Sequence, residues 1–181
     1  MSGHALVVGG TGMLRNVCLH LCALGNHVSV VARTQSHLDK LAEEGGARLH
    51  PIRSDWKDAP ALRRAIEEAG RSFGRIDPAV VWIHSDSPEG PAEIVAAVRD
   101  ESLPPRYFHL YGSAGDAAGS VKARWRIELP RAKGILYREI LLGSRGRRWL
   151  TDDEISEGVI RALTGDRPSF LVGDAPGLPD C

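Results

Sequence analysis

The first candidate for chemistry in this sequence is bare backbone. Gly9, Gly10 and Gly12 stand directly after the apolar run Ala5 to Val8, and Met13, Leu14, Val17, Cys18, Leu21 and Cys22 follow at helical spacing. A strand, a glycine turn and a helix in that order leave unpaired N–H groups at a helix N-terminus, where the helix dipole is positive. Such an end favours an anion, most often a phosphate or pyrophosphate. Glycine matters because a side chain would hold the ligand away from the main chain. Gly9, Gly10, Thr11, Gly12, Met13 and Leu14 are therefore candidate ligand-binding residues. A third glycine is expected at position 15, but Arg15 stands there. Either Arg15 points outward, or the helix sits further from the strand, or the arginine reaches the ligand phosphates as a cation.

Other candidates fall at the ends of apolar runs. Arg33, Thr34, Gln35 and Ser36 follow His27 to Ala32, with no acid among them. In a dinucleotide fold an acid at that place binds the ribose 2′-hydroxyl, whereas an arginine accommodates a 2′-phosphate. Arg33, with Thr34 and Ser36, thus favours NADP over NAD. Asp55 and Trp56 follow the next run, and Asp55 is either an adenine ligand or a turn residue. His84 follows Ile76 to Ile83, and Ser113 follows Arg106 to Tyr111. Reduction of a carbonyl needs a proton donor within about 3 Å of the carbonyl oxygen. Ser113 is placed to hydrogen-bond that oxygen. Histidine is the residue type suited to proton transfer near neutral pH, so His84 ranks first as donor, and Tyr111, two residues before Ser113, is the second candidate. His109 reads as a satisfied core histidine.

The elements that position these residues alternate regularly. Strands are expected at 5–8, 27–32, 47–52, 76–83, 106–111, 134–142 and 169–172. Helices are expected after Gly12, after a Ser36 cap, after Asp58, from Pro91, around 117–126 with a break at Pro130, and after the capping box Thr151-Asp-Asp-Glu154. Residues 143–148 read as a basic loop. The order argues an α/β chain with a mostly parallel sheet of about 6–7 strands covered on both faces, in one domain over 1–181. Ligands in such a sheet sit beyond the carboxyl ends of the strands, where strand order reverses.

Composition narrows the partners. Lys plus Arg and Asp plus Glu both number 23, which points to neither nucleic acid nor an anionic membrane. No apolar run approaches a membrane span, and the N-terminal apolar run is a strand rather than a signal peptide. Cys18 and Cys22 lie on the apolar face of the first helix and read as small core residues. His20 faces away from both, which argues against a metal site. A reducing, cytoplasmic setting is expected.

The chain resembles the short-chain dehydrogenase/reductase superfamily in an atypical, shortened form. The resemblance rests on Val8-Gly-Gly-Thr-Gly-Met13, Arg33, Asp55 and Tyr111-Gly-Ser-Ala-Gly115. It implies a three-layer, doubly wound Rossmann fold that binds NAD(P), with Ser113 at the place of the catalytic serine and a small-molecule substrate. Members of the superfamily often form homo-oligomers through helices flanking the fourth and fifth strands, one of which is curtailed here. The superfamily's Tyr-x-x-x-Lys is missing, since neither Tyr107, Tyr111 nor Tyr137 has lysine four residues on, and His84-Ser85 replaces its Asn-Ala-Gly turn. Two readings follow. One is an NADP-dependent oxidoreductase acting on a small carbonyl or alcohol, and the other is a non-catalytic NADP(H)-binding sensor or partner module.

Overall fold

A computed structural model describes residues 3–84, 87–112 and 120–175. The strands are β1 (His4–Val8), β2 (His27–Ala32), β3 (Leu49–Arg53), β4 (Ile76–Val81), β5 (Arg106–Gly112), β6 (Leu136–Leu142), β7 (Ser144–Arg145), β8 (Arg148–Trp149) and β9 (Ser169–Val172). The helices are α1 (Arg15–Ala23), α2 (Gln35–Gly45), α3 (Ala59–Phe73), α4 (Gly90–Val98), α5 (Val121–Glu128) and α6 (Asp152–Thr164). Seven strands form one sheet in the order β3-β2-β1-β4-β5-β6-β9, and every neighbouring pair is parallel.

Alternation along the strands divides the core into two layers. Val7, Val30, Phe108, Leu110 and Ile140 share one cluster with Val17 of α1, Leu38 of α2 and Val159 of α6. Leu6, Val8, Val81 and Tyr107 share the other with Leu62 of α3, Ile94 of α4 and Trp125 of α5. β1 is central, and all five of its residues are buried. The chain runs outward from β1 through β2 to β3, then returns to β4 on the other side of β1. That reversal opens a crevice beyond the carboxyl ends of β1 and β4.

Several boundaries differ from the sequence expectation. β3 starts at Leu49 because Gly46–Arg48 form a 3₁₀ turn after α2. Thr34, not Ser36, is the N-cap of α2, and it makes no side-chain capping bond. The helix expected near 117–126 is α5, capped by the Ser120 hydroxyl, which accepts from the Ala123 N–H. Pro130 lies in a 3₁₀ turn just beyond it. The basic loop 143–148 contains a short hairpin, β7–β8. Arg145 and Arg148 both pair with Glu154 in the capping box that starts α6.

Arg15 points outward. Its guanidinium pairs with Glu44 of α2 and donates to the Asn16 side chain. Close helix–strand packing is supplied instead by Gly10. A Cβ there would lie 2.7 Å from Val30 Cγ1 and 2.8 Å from Cys18 Sγ. Cys18 and Cys22 are buried on α1. Among the described residues, no helix is long and apolar enough to cross a membrane, and no group of three or more His, Cys, Asp or Glu is placed to hold a metal ion.

Candidate functional site

The crevice beyond β1 and β4 is a cleft of about 220 Å³. The turn after β1 contributes Gly9, Thr11, Gly12 and Met13 to its wall; the end of β2 contributes Arg33 and Thr34. Trp56 enters from beyond β3, and Trp82 and His84 from beyond β4. Parallel ladders hold this edge in register. The Gly9 N–H donates to Val31 O at 2.9 Å, and the Trp82 N–H donates to Val8 O at 3.0 Å.

The glycines of the turn do different work. Gly9 has φ +80°, and a Cβ there would sit 2.7 Å from the Trp82 carbonyl oxygen. It is required both by conformation and by the close approach of β4. Gly12 has nothing within 4 Å of its Cβ position, so its main chain faces open space in the cleft. α1 begins at this turn with Leu14 as N-cap, no side-chain cap and no acidic residue in its first turn. Among the described residues no side chain caps the positive end of the helix, and the Asp153 carboxylate near it is engaged with the Asn16 side chain at 2.8 Å. Ser156 of α6 braces the turn from below by donating its hydroxyl to Met13 O at 2.7 Å.

Arg33 lies with its guanidinium carbon 4.6 Å from the centre of the Trp56 ring. The indole Nε1 of Trp56 is buried and has no hydrogen-bond partner among the described residues. His84 is exposed at the lip, its ring 5.7 Å from Trp82 and 6.2 Å from Trp56.

The structure therefore brings Gly9, Thr11, Gly12, Met13, Arg33, Thr34, Trp56 and His84 together. Leu14 is buried in the core and does not line the cleft, and Gly10 is a packing residue. Ser36 lies within the first turn of α2 and does not line the cleft. Asp55 is exposed and accepts from the Lys57 N–H at 3.0 Å, so the turn reading describes it. Ser113 lies outside the described residues.

Tyr111 is a correction. It is 2% exposed, and its hydroxyl lies 2.8 Å from His109 Nδ1 and 3.0 Å from the Tyr137 hydroxyl. Burial first, then the neighbouring Tyr137, push its pKa far above the usual tyrosine range. A phenol held this way on the α3–α4–α5 side of the sheet cannot deliver a proton in the cleft. His109 is fully buried but only half satisfied, because its Nε2 has no partner among the described residues. Burial lowers its pKa to about 3.

Two cleft features escape a reading of the sequence. Trp82 sits inside an apolar run and reads as one more strand residue, yet β4 ends at Val81 and the indole forms part of the wall. Ser156 reads as one position on an amphipathic helix, and nothing local marks its bond to Met13. A second cavity, about 240 Å³, lies between the starts of β6 and β9 and the end of α6. Its Arg138 is already engaged with the carbonyl and carboxylate of Asp166.

The short chain dehydrogenase family model matches residues 3–81, the span from β1 through β4. Solved structures match over nearly the whole chain. A metagenomic short-chain oxidoreductase in complex with NADP is 17% identical, with 98% of this chain and 99% of that one covered and a TM-score of 0.74. An alcohol dehydrogenase from the archaeon Thermococcus sibiricus, complexed with 5-hydroxy-NADP, is 15% identical, with both chains covered to 100% and a TM-score of 0.76. An F189W actinorhodin polyketide ketoreductase with NADPH is 16% identical, with 95% and 96% covered and a TM-score of 0.75. At these identities the solved structures speak for the fold. The family match spans the first four strands, less than half of the chain, and along its whole length the chain shares the fold of these short-chain oxidoreductase structures.

Proposed function

We propose that this chain binds NADP(H) in the β1–β4 cleft and acts as an oxidoreductase on a small carbonyl or alcohol. The observation that carries the cofactor reading is the uncapped start of α1 facing a cleft with Arg33 at its mouth. The residues fit such a group. Main-chain N–H groups of the Gly9-to-Met13 turn and the α1 dipole suit a diphosphate. Gly12 leaves room for its close approach. Arg33 suits a 2′-phosphate, and residues 33–36 include no acid. Three solved structures of the same fold hold NADP, 5-hydroxy-NADP or NADPH, which supports the choice.

The bound cofactor would supply the hydride. This chain's own part is to place the substrate and move one proton. His84 is the residue we assign to the proton, because it is exposed at the lip of the cleft beyond β4. Ser113, immediately past β5, is assigned by sequence position to hydrogen-bond the substrate oxygen. Trp82 and Trp56 supply apolar walls that limit water in the cleft. Two buried free cysteines suit a reducing, cytoplasmic compartment, and we treat residues 1–181 as one domain.

A second reading has its own observation. None of the three tyrosines lines the cleft; Tyr107 and Tyr111 are buried, and Tyr137 is tied to Tyr111. A chain without a cleft tyrosine also suits a non-catalytic NADP(H)-binding sensor or partner module. NADPH oxidation against a panel of aldehydes and ketones separates the two. Turnover lost in His84→Ala or Ser113→Ala supports the enzyme. Tight NADPH binding with no turnover across the panel supports the sensor.

A further inference from the structure

We propose that Trp56 sets the preference for a 2′-phosphorylated nucleotide by holding the Arg33 guanidinium with its edge free; the inference rests on the NADP(H) reading above. The guanidinium carbon lies 4.6 Å from the Trp56 ring centre. A planar cation stacked on an indole engages its partner through its face. Its N–H donors lie in the plane of the group and stay unspent. Among the described residues Arg33 has no ion pair and no hydrogen bond to consume them. The stack therefore fixes the cation without neutralising it, which is the state that suits a phosphate.

Trp56 is itself held firmly. It is 7% exposed, and its carbonyl accepts a hydrogen bond from the hydroxyl of Ser87, which is 2% exposed. Gly90 permits this contact, since a Cβ there would lie 2.6 Å from Ser87 Oγ. A strut from beyond β4 thus braces the residue that positions an arginine beyond β2. The Trp56 Nε1 is buried as well, with no acceptor among the described residues.

The arginine that is not held must lose its rotamer freedom on binding, a cost that corresponds to roughly two- to tenfold in affinity. Calorimetric titration of NADPH and NADH gives the affinity ratio for wild type, Arg33→Ala, Arg33→Lys, Trp56→Phe and Trp56→Leu. Arg33→Ala should abolish the NADPH preference. Trp56→Leu should cut the NADPH-to-NADH ratio roughly three- to tenfold, with any loss of cleft wall common to both nucleotides cancelling in the ratio, and Trp56→Phe, which keeps an aromatic face, should restore it. Arg33→Lys keeps the charge but not the planar stack and should fall near Arg33→Ala. A Trp56→Leu variant with the wild-type ratio overturns the role of Trp56 and leaves the NADP(H) reading intact. If that variant does not fold, a wild-type ratio in Arg33→Lys overturns it equally. Equal affinity of the wild-type protein for both nucleotides overturns the NADP(H) reading first, before any variant is made, and the inference with it.

Discussion

Gly9 and Gly12 are three residues apart in the same turn, yet alanine at each should fail in a different way. At Gly9 the new methyl meets two penalties. The φ of +80° lies in the left-handed region, which costs a residue with a Cβ about 1–2 kcal/mol. The methyl would also sit 2.7 Å from the Trp82 carbonyl oxygen, a backbone atom of the adjacent strand that cannot swing aside. Relieving that contact means separating the turn from β4, at about 1–3 kcal/mol more. Gly9→Ala should therefore lose about 2–5 kcal/mol, a fall in Tm of roughly 4–20 °C for a chain of this size. At Gly12 neither penalty applies. Its φ is outside the left-handed region, and nothing lies within 4 Å of the Cβ position. Gly12→Ala should leave stability unchanged or raise it by up to about 1 kcal/mol, because the unfolded chain loses freedom. Its methyl would occupy cleft space instead, and crowding of about 1–3 kcal/mol there weakens NADPH roughly 5- to 150-fold. Thermal unfolding without nucleotide and calorimetry with NADPH read the two effects separately. Wild-type NADPH affinity in a folded Gly12→Ala protein would refute the claim that a ligand approaches this main chain. A wild-type Tm in Gly9→Ala would refute the account of the turn.

Three further outcomes follow from named contacts. Arg33→Ala should reduce NADPH affinity about 10- to 150-fold, the equivalent of one charge-assisted contact, and leave NADH affinity within about twofold; the same titrations measure both. Asp55→Ala should leave NADPH affinity within about twofold, because that carboxylate is spent on the Lys57 N–H in an exposed turn; a tenfold loss would restore Asp55 as a nucleotide ligand. Acid should destabilise the fold through His109, whose proton binds near pH 6.5 in the unfolded chain but only near about 3 when buried. Between those values the unfolded chain holds more protons, so stability is complete above about pH 6.5 and falls as pH drops towards 3, by about 2–3 kcal/mol at pH 4.5. His4 and His50, also lowered by burial, act in the same direction. Tm measured from pH 7.5 to 4.5 should fall less steeply in His109→Gln than in wild type.

The parts of the fold legible in the sequence are those fixed by local chemistry. β2 and β9 fall on their expected residues because β-branched and apolar runs there are bounded by turn residues. The capping box at Thr151 and Glu154 forms as read, with both reciprocal bonds present. What the sequence hides is set by residues far apart in the chain. The hairpin β7–β8 reads as a solvated basic loop because the pairing of Arg145 and Arg148 with Glu154 is visible only once α6 is placed. Tyr111 looks available beside the strand end. Yet residues 107, 109 and 111 share one face of β5, and that face is closed over by Trp125 and Tyr137. Arg15 breaks the spacing of the glycine turn, but the close contact has moved to Gly10 against Cys18 and Val30. Arg33 and Trp56 were each legible as candidates at the ends of β2 and β3. That one stacks on the other depends on parallel pairing of those strands.

Calorimetric titration of the purified wild-type protein with NADPH and with NADH tests the central claim most directly. If the bare turn after β1 holds a diphosphate and Arg33 selects the phosphorylated ribose, both nucleotides bind at a single site and NADPH binds at least about tenfold tighter. Absence of binding heat with either nucleotide, confirmed by an unshifted Tm, would contradict it.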